Sequence, residues 1–217
     1  GMIDTLMVSG IGSEAVAAVG LTTQPKFLGL SLFIAMNVAT AALVARRKGE
    51  KDKKRANETL AEAIVLTLFF GIFVTILLVA GADRIISLCG SNADTHKSAV
   101  IYFQIIMGGM IFNIVSMVIN AAQRGAGNTK IAMYTNIISS LVNILGNYVL
   151  IGGHLGFPKM GIRGAALATV FGTVIACFIS ILSLFRKDSF LSLSYIWKEK
   201  MWKQFQSVKL IFKLSCS

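Results

Sequence analysis

The chain has 217 residues, of which 55% are hydrophobic and 14% charged, and its mean hydropathy of +0.72 lies far from the balance of a soluble domain. A net charge of +11 would point to nucleic acid in a soluble protein. Here the basic residues gather in short loops and no basic stripe is interleaved with aromatics on a soluble face, so no nucleic-acid partner is expected and lipid is the expected solvent.

The first apolar stretch, residues 1–9, is too short to cross a bilayer and carries Asp4 within "MIDTLMVS". It has no basic, apolar and small-residue pattern of a signal peptide, and the simplest reading is a fragment. An aspartate near the middle of a membrane helix costs about 2.5–3.5 kcal/mol unless it faces a polar interior. Asp4 is therefore expected to face inward, where a carboxyl group can exchange a proton for an ion. The alternative is a position at the membrane edge of a truncated helix, in contact with water.

A bilayer core about 30 Å thick needs roughly 20 apolar residues per helical span. Charge-free runs of that kind occur at Phe27–Ala45, Ala63–Ala82, Ser98–Ala122, Ile131–Gly153 and Gly164–Phe185. None alternates apolar and polar residues over about 10 positions, as membrane β-strands do. The expected fold is all-α, a polytopic membrane helical bundle. The segment "RRKGEKDKKR" (46–55) carries seven Lys and Arg, and Arg186–Lys213 carries seven more. The loop "QRGAGNTK" (123–130) adds Arg124 and Lys130, while the alternate loops hold only Lys26, then Arg84 and Lys97, then Lys159 and Arg163. By the positive-inside rule, loops 46–58 and 123–130 and segment 186–207 are expected in the cytoplasm, with 82–97 and 153–163 outside, in a multi-pass plasma-membrane protein.

Polar side chains inside the runs are sparse and patterned. Asn136, Ser140, Asn143 and Asn147 recur at intervals of four, three and four, on one helix face. Asn113, Ser116 and Asn120 form a second stripe in the preceding run. A water-filled cavity accounts for a continuous stripe; hydrogen bonding between helices is the alternative for any one Asn or Ser. Cys89, Cys177 and Cys216 are far apart, and His96 and His154 fall in expected outer loops, so neither a metal site nor a disulfide framework is expected. No nucleophile with a nearby base and no carboxylate pair lies in the runs, so no catalytic residues are assigned. After Phe185, Tyr195, Trp197, Trp202 and Phe205 alternate with lysines, as in an interfacial helix; a solvated linker is the other reading. "VKLIFKLSCS" (208–217) reads as the start of another helix.

Four stretches then follow one another in a familiar order: "MIDTLMVSGIGSEAVAAVGL" (2–21), "AALVARRKGEKDKKRAN" (41–57), "QRGAGNTK" (123–130) and "MGIRGAALATV" (160–170). Together they resemble the multidrug and toxic compound extrusion (MATE) transporters, respectively the first helix and outer loop, the end of the second helix with its basic loop, the loop before the fifth helix, and the start of the sixth. The resemblance covers essentially the whole chain. It implies two six-helix lobes around a substrate site, of which residues 1–185 would be the first, with its first helix truncated, 186–207 the connection between lobes and 208–217 the start of the seventh helix. It also implies a cation site: Asp4 matches the aspartate of the first helix, Asn143 the asparagine of the fifth, Thr169 the threonine of the sixth, and Asn147 stands where relatives carry a second aspartate. Asn136, Ser140, Asn113 and Asn120 would line the cavity. No cofactor is implied beyond the coupling ion, sodium or a proton. The implied activity is cation-driven export of amphipathic, drug-like small molecules. A lipid-linked saccharide flippase is the alternative, disfavoured because the apolar runs contain no Lys or Arg. The expected partners are substrate, membrane lipid and the C-terminal lobe of the same polypeptide.

Overall fold

A computed structural model of the chain describes residues 2–186, 188–198 and 208–215. The elements are helices: α1 (Met2–Val8), α2 (Ser13–Gly49), α3 (Lys53–Ala80), α4 (Ala82–Leu88), α5 (Ala93–Gly108), α6 (Met110–Gly125), α7 (Thr129–Gly152), α8 (Ile162–Ser183), α9 (Leu193–Lys198) and α10 (Val208–Ser215). No strand occurs among the described residues. Among the described residues four helices, α2, α3, α7 and α8, are long and apolar enough to cross a membrane, and α5 with α6 makes a fifth candidate span, bent by 44°.

Several helices run past the apolar runs read from the sequence. Residues 10–26, expected as an outer loop, are a turn through Gly12 and then the first turns of α2. This places Lys26 within helix α2 instead of a loop. The helix accepts Pro25, which is buried, at the loss of one backbone donor. Likewise α3 begins at Lys53, so its buried first half carries Asn57, Glu58 and Glu62. Backbone hydrogen bonding does not stop where apolarity does, and a helix end can remain wound among charged residues. The run Ser98–Ala122 is not one straight span: it breaks at Gly109, where an added Cβ would stand 2.6 Å from a methyl group of Val170 on α8.

The chain divides into two compact units. The first comprises residues 1–29, 73–111 and 138–175, with a core that includes Val8, Ala18, Ala99, Tyr102 and Phe103. On its α4–α5 turn, His96 bridges Asp83 (Nε2 to Oδ1, 2.8 Å) and Ser91 (Nδ1 to Oγ, 2.6 Å). The second comprises residues 30–72, 112–137 and 176–217 and is centred on Leu43, Leu60, Ile114, Val118 and Leu184. Here the short connection after α2 is closed by Glu50, which accepts hydrogen bonds from Arg47 (3.0 Å) and Arg46 (3.1 Å); these two guanidinium groups hold its carboxyl below the usual range. The α6–α7 turn requires Gly127, whose φ of 85° disfavours any side chain.

At Gly125 the end of α6 lies directly on the backbone of α2: an added Cβ would be 2.4 Å from the Ala41 carbonyl oxygen. Gly125→Ala is expected to cost about 1–3 kcal/mol, as overpacking against immovable backbone does, and to lower the midpoint of thermal unfolding in detergent. An unchanged midpoint would mean that the two helices do not meet there.

Candidate functional site

In the first unit, α7 and α8 come together through small residues. An added Cβ on Gly146 would stand 2.9 Å from the Ala168 Cβ, one on Gly164 2.7 Å from the Leu150 backbone, and one on Gly172 3.0 Å from the Ser139 carbonyl oxygen. Gly164, Ala168 and Gly172 are spaced by four, the small-residue repeat that lets membrane helices approach closely. The Ser139 hydroxyl donates to the Gly172 carbonyl at 3.0 Å and ties the same seam.

This approach brings polar side chains of both helices to α1. Asp4, 3% exposed, accepts from the Asn147 amide (Nδ2 to Oδ1, 3.0 Å) and from the Thr169 hydroxyl (3.3 Å). Asn143 donates to Thr169 Oγ1 at 3.0 Å, and Asn147 Nδ2 also reaches Asn143 Oδ1 at 3.4 Å. The Thr169 hydroxyl is further anchored on the Ala165 carbonyl, one turn back, at 3.1 Å. Four residues from three helices thus form one connected cluster. One atom in it stands out: Oδ1 of Asn147, a fully buried residue, has no hydrogen-bond partner among the described residues. A buried amide oxygen left alone loses its hydration without return, and it is the natural acceptor for a cation or a donor group.

The remaining stripe residues lie elsewhere. Asn136 and Ser140 are exposed and Asn113 is half-buried. Asn120 sits in a closed network of the second unit: it accepts from Ser180 (3.1 Å), Ser180 and Ser116 are 3.0 Å apart, and Gln123 donates to Ser183 at 3.1 Å. For Asn120 and Ser116 the observed contacts are hydrogen bonds between helices. Two groups near the cluster escaped sequence reasoning. Lys26 on α2 and buried Tyr102 on α5 both lie within reach of the charge on Asp4. Lys26 abuts the first apolar run, which is the signal that could have found it; Tyr102 offered only a phenol within an apolar run.

A model of the MatE family matches residues 1–149. The chain belongs to the MatE family. Among MatE relatives, a probable multidrug resistance protein NorM of Thermotoga maritima is 27% identical over 88% of this chain and 41% of its own length. The probable multidrug resistance protein YoeA of Bacillus subtilis is 30% identical over 82% of this chain and 38% of its own length. The chain thus spans about two-fifths of the curated relatives it matches. An inward-facing structure of a multidrug resistance MATE family transporter of the MOP superfamily superposes with a TM-score of 0.87 at 28% identity, over 99% of this chain and 47% of that one. A MATE structure in a bent conformation gives 0.86 at the same identity. The helical bundle of MATE transporters, which are integral membrane proteins, is therefore the fold of this chain.

Thr169→Val removes the hydroxyl that both holds Asp4 and receives Asn143. The variant is expected to lose about 1–3 kcal/mol of stability, the cost of stranding buried polar partners, while Thr169→Ser keeps most of it. A valine variant that melts with the wild type would place this hydroxyl outside the network.

Proposed function

We propose that the chain forms the first lobe of a cation-driven exporter of amphipathic, drug-like small molecules, with the cluster around Asp4 as its cation site. The observation that carries this reading is the lone buried oxygen of Asn147 beside the Asp4 carboxylate. Asp4, Asn143, Asn147 and Thr169 offer one carboxylate, two amide oxygens and a hydroxyl, a set of hard oxygen donors that suits sodium. The same carboxylate can carry a proton. With asparagine at 147 the site has one negative charge, so sodium is held less firmly and proton coupling gains ground.

The cluster's part in transport follows from its geometry. It ties α1 to α7 and α8, so its occupancy can bias how these helices are held against one another. A site whose occupancy favours one conformation is what alternating access requires. The substrate would lie between this lobe and a second one supplied by the rest of the polypeptide. The basic loops 46–58 and 123–130 and segment 186–207 would face the cytoplasm, following the Lys and Arg asymmetry. The multidrug-resistance names of the two relatives support export of drug-like compounds, whereas a lipid-saccharide flippase would need a cationic cradle for phosphate, which one lysine near Asp4 does not make.

In the full-length protein, Asp4→Asn is expected to abolish gradient-driven export while leaving insertion and folding intact, since a neutral amide neither releases a proton nor carries the charge that holds a cation. Asn147→Asp is expected to shift the coupling toward sodium. The measurement is dye export from proteoliposomes under imposed sodium or proton gradients. Export by Asp4→Asn equal to that of the wild type under both gradients would remove Asp4 from the mechanism.

A further inference from the structure

The basic loops and the segment read as the connection between lobes do more than set topology. In the second unit they are fastened to one another through backbone groups. Asn57 of α3 is 0% exposed, and its side chain is used on both ends: Nδ2 donates to the Phe190 carbonyl at 3.0 Å and to the Lys53 carbonyl at 2.8 Å, while Oδ1 accepts from the Ser192 N–H at 2.9 Å. The amide therefore grips Phe190 and Ser192 as a neighbouring β-strand would, reading no side chain. One residue further on, the Leu193 N–H donates to the Leu184 carbonyl at 3.0 Å, beyond the end of α8.

Side chains complete the dock. Leu191 and Ile196 are fully buried, whereas Trp197 next to Ile196 is 76% exposed, so the segment has one face turned into the lobe. Lys48 lies over the Phe190 ring at 5.5 Å and also donates to the Ala126 carbonyl just beyond α6, joining the last turn of α2, the α6–α7 turn and this segment. Lys53 lies over the Tyr195 ring at 5.3 Å. Asp188, Ser189 and Phe190 form one wall of a cavity of about 340 Å³ whose other walls include Lys48, Gln123 and Lys130. Three stretches that the sequence marks only by charge or glycine thus converge on residues 188–196.

We infer that residues 188–196 are a strap, with Asn57 as its latch, that binds the connection between lobes to the basic loops and releases as a unit while the rest of the lobe stays folded. The contacts favour unit release because the segment is short and buries only Leu191 and Ile196 as large side chains, its polar fastenings being Asn57, two lysines and one backbone bond to Leu184, and such small docked segments open at lower free energy than the helices beneath them. The strap rests on the reading of 186–207 as the inter-lobe connection for its role in the whole protein, but not for its existence. Its test is independent of transport.

The test is hydrogen–deuterium exchange of the 217-residue chain in detergent or lipid nanodiscs, read residue by residue at Ser192, Leu193 and Ile196. In the wild type these amides are expected to exchange at least about tenfold more slowly than an unstructured peptide, yet faster than the interior amides of α3 and α7. Asn57→Ala is expected to accelerate Ser192 and Leu193 by about tenfold or more, with the amides of α7 and α8 around Asn147 and Thr169 unchanged. Should Asn57→Ala yield no folded protein, Ser192→Pro removes the same bond from the strap's side together with the 192 amide, and is expected to accelerate the remaining strap amides of Leu193 and Ile196 by about tenfold or more with α7 and α8 unchanged. Unprotected strap amides in the wild type, acceleration spread evenly over α3, α7 and α8, no acceleration at all, or failure of both variants to fold would each overturn the strap.

Discussion

The candidate site is organised around one buried charge. In a bundle whose long helices are apolar enough to cross a lipid bilayer, the Asp4 carboxylate has to be held by polar groups from its neighbours, because a carboxylate facing hydrocarbon is too costly to keep. Asn147 and Thr169 hold it directly, and Asn143 holds Thr169. Helix α1 has only seven residues, Met2–Val8, and the bonds to Asp4 link it to α7 and α8.

These bonds require a close seam between α7 and α8. Asn143 and Thr169 can meet at 3.0 Å because glycines at 146, 164 and 172 let the two backbones approach where any side chain would collide. The seam and the cluster are therefore one device, in which small residues set the separation and polar residues use it. It leaves the Asn147 oxygen unanswered among the described residues, which is the feature that separates this cluster from the closed network of Asn120, Ser116 and Ser180 in the second unit. Both are built from asparagines and hydroxyls one helix turn apart, but only the first contains a charge and an open acceptor.

Much of this was legible in the residues. The apolar runs mark the long helices because lipid demands about 20 apolar residues in a row, and Asp4 stands out because a charge in such a run is costly. The four-residue spacing of Asn143 and Asn147 places them on one face before any contact is known. Other features follow from packing that no local pattern displays. At the break, Gly109 lies against Val170, which is 61 positions further along the chain. Asn136 and Ser140 continue the spacing of Asn143 and Asn147 yet lie exposed, since periodicity fixes a face of the helix but not what covers it at each level. Glu58 and Glu62 precede the apolar run that begins at Ala63, but the first half of α3 is buried and takes both inside. Tyr195 and Trp197 read alike as interfacial aromatics; one lies under Lys53 and the other faces outward, while Trp202 and Phe205 lie outside the described residues.

The central claim, that the carboxylate of α1 and the hydroxyl and amides of α7 and α8 act as one cluster, is tested most directly by a double-mutant cycle on thermal stability. Asp4→Asn, Thr169→Val and the double variant would be unfolded in the same detergent, and the coupling taken as the departure from additivity. Groups bonded within one network couple by about 0.5–3 kcal/mol, and a value in that range is predicted. Strict additivity of the two substitutions would show that Asp4 and Thr169 do not touch, and would contradict the account.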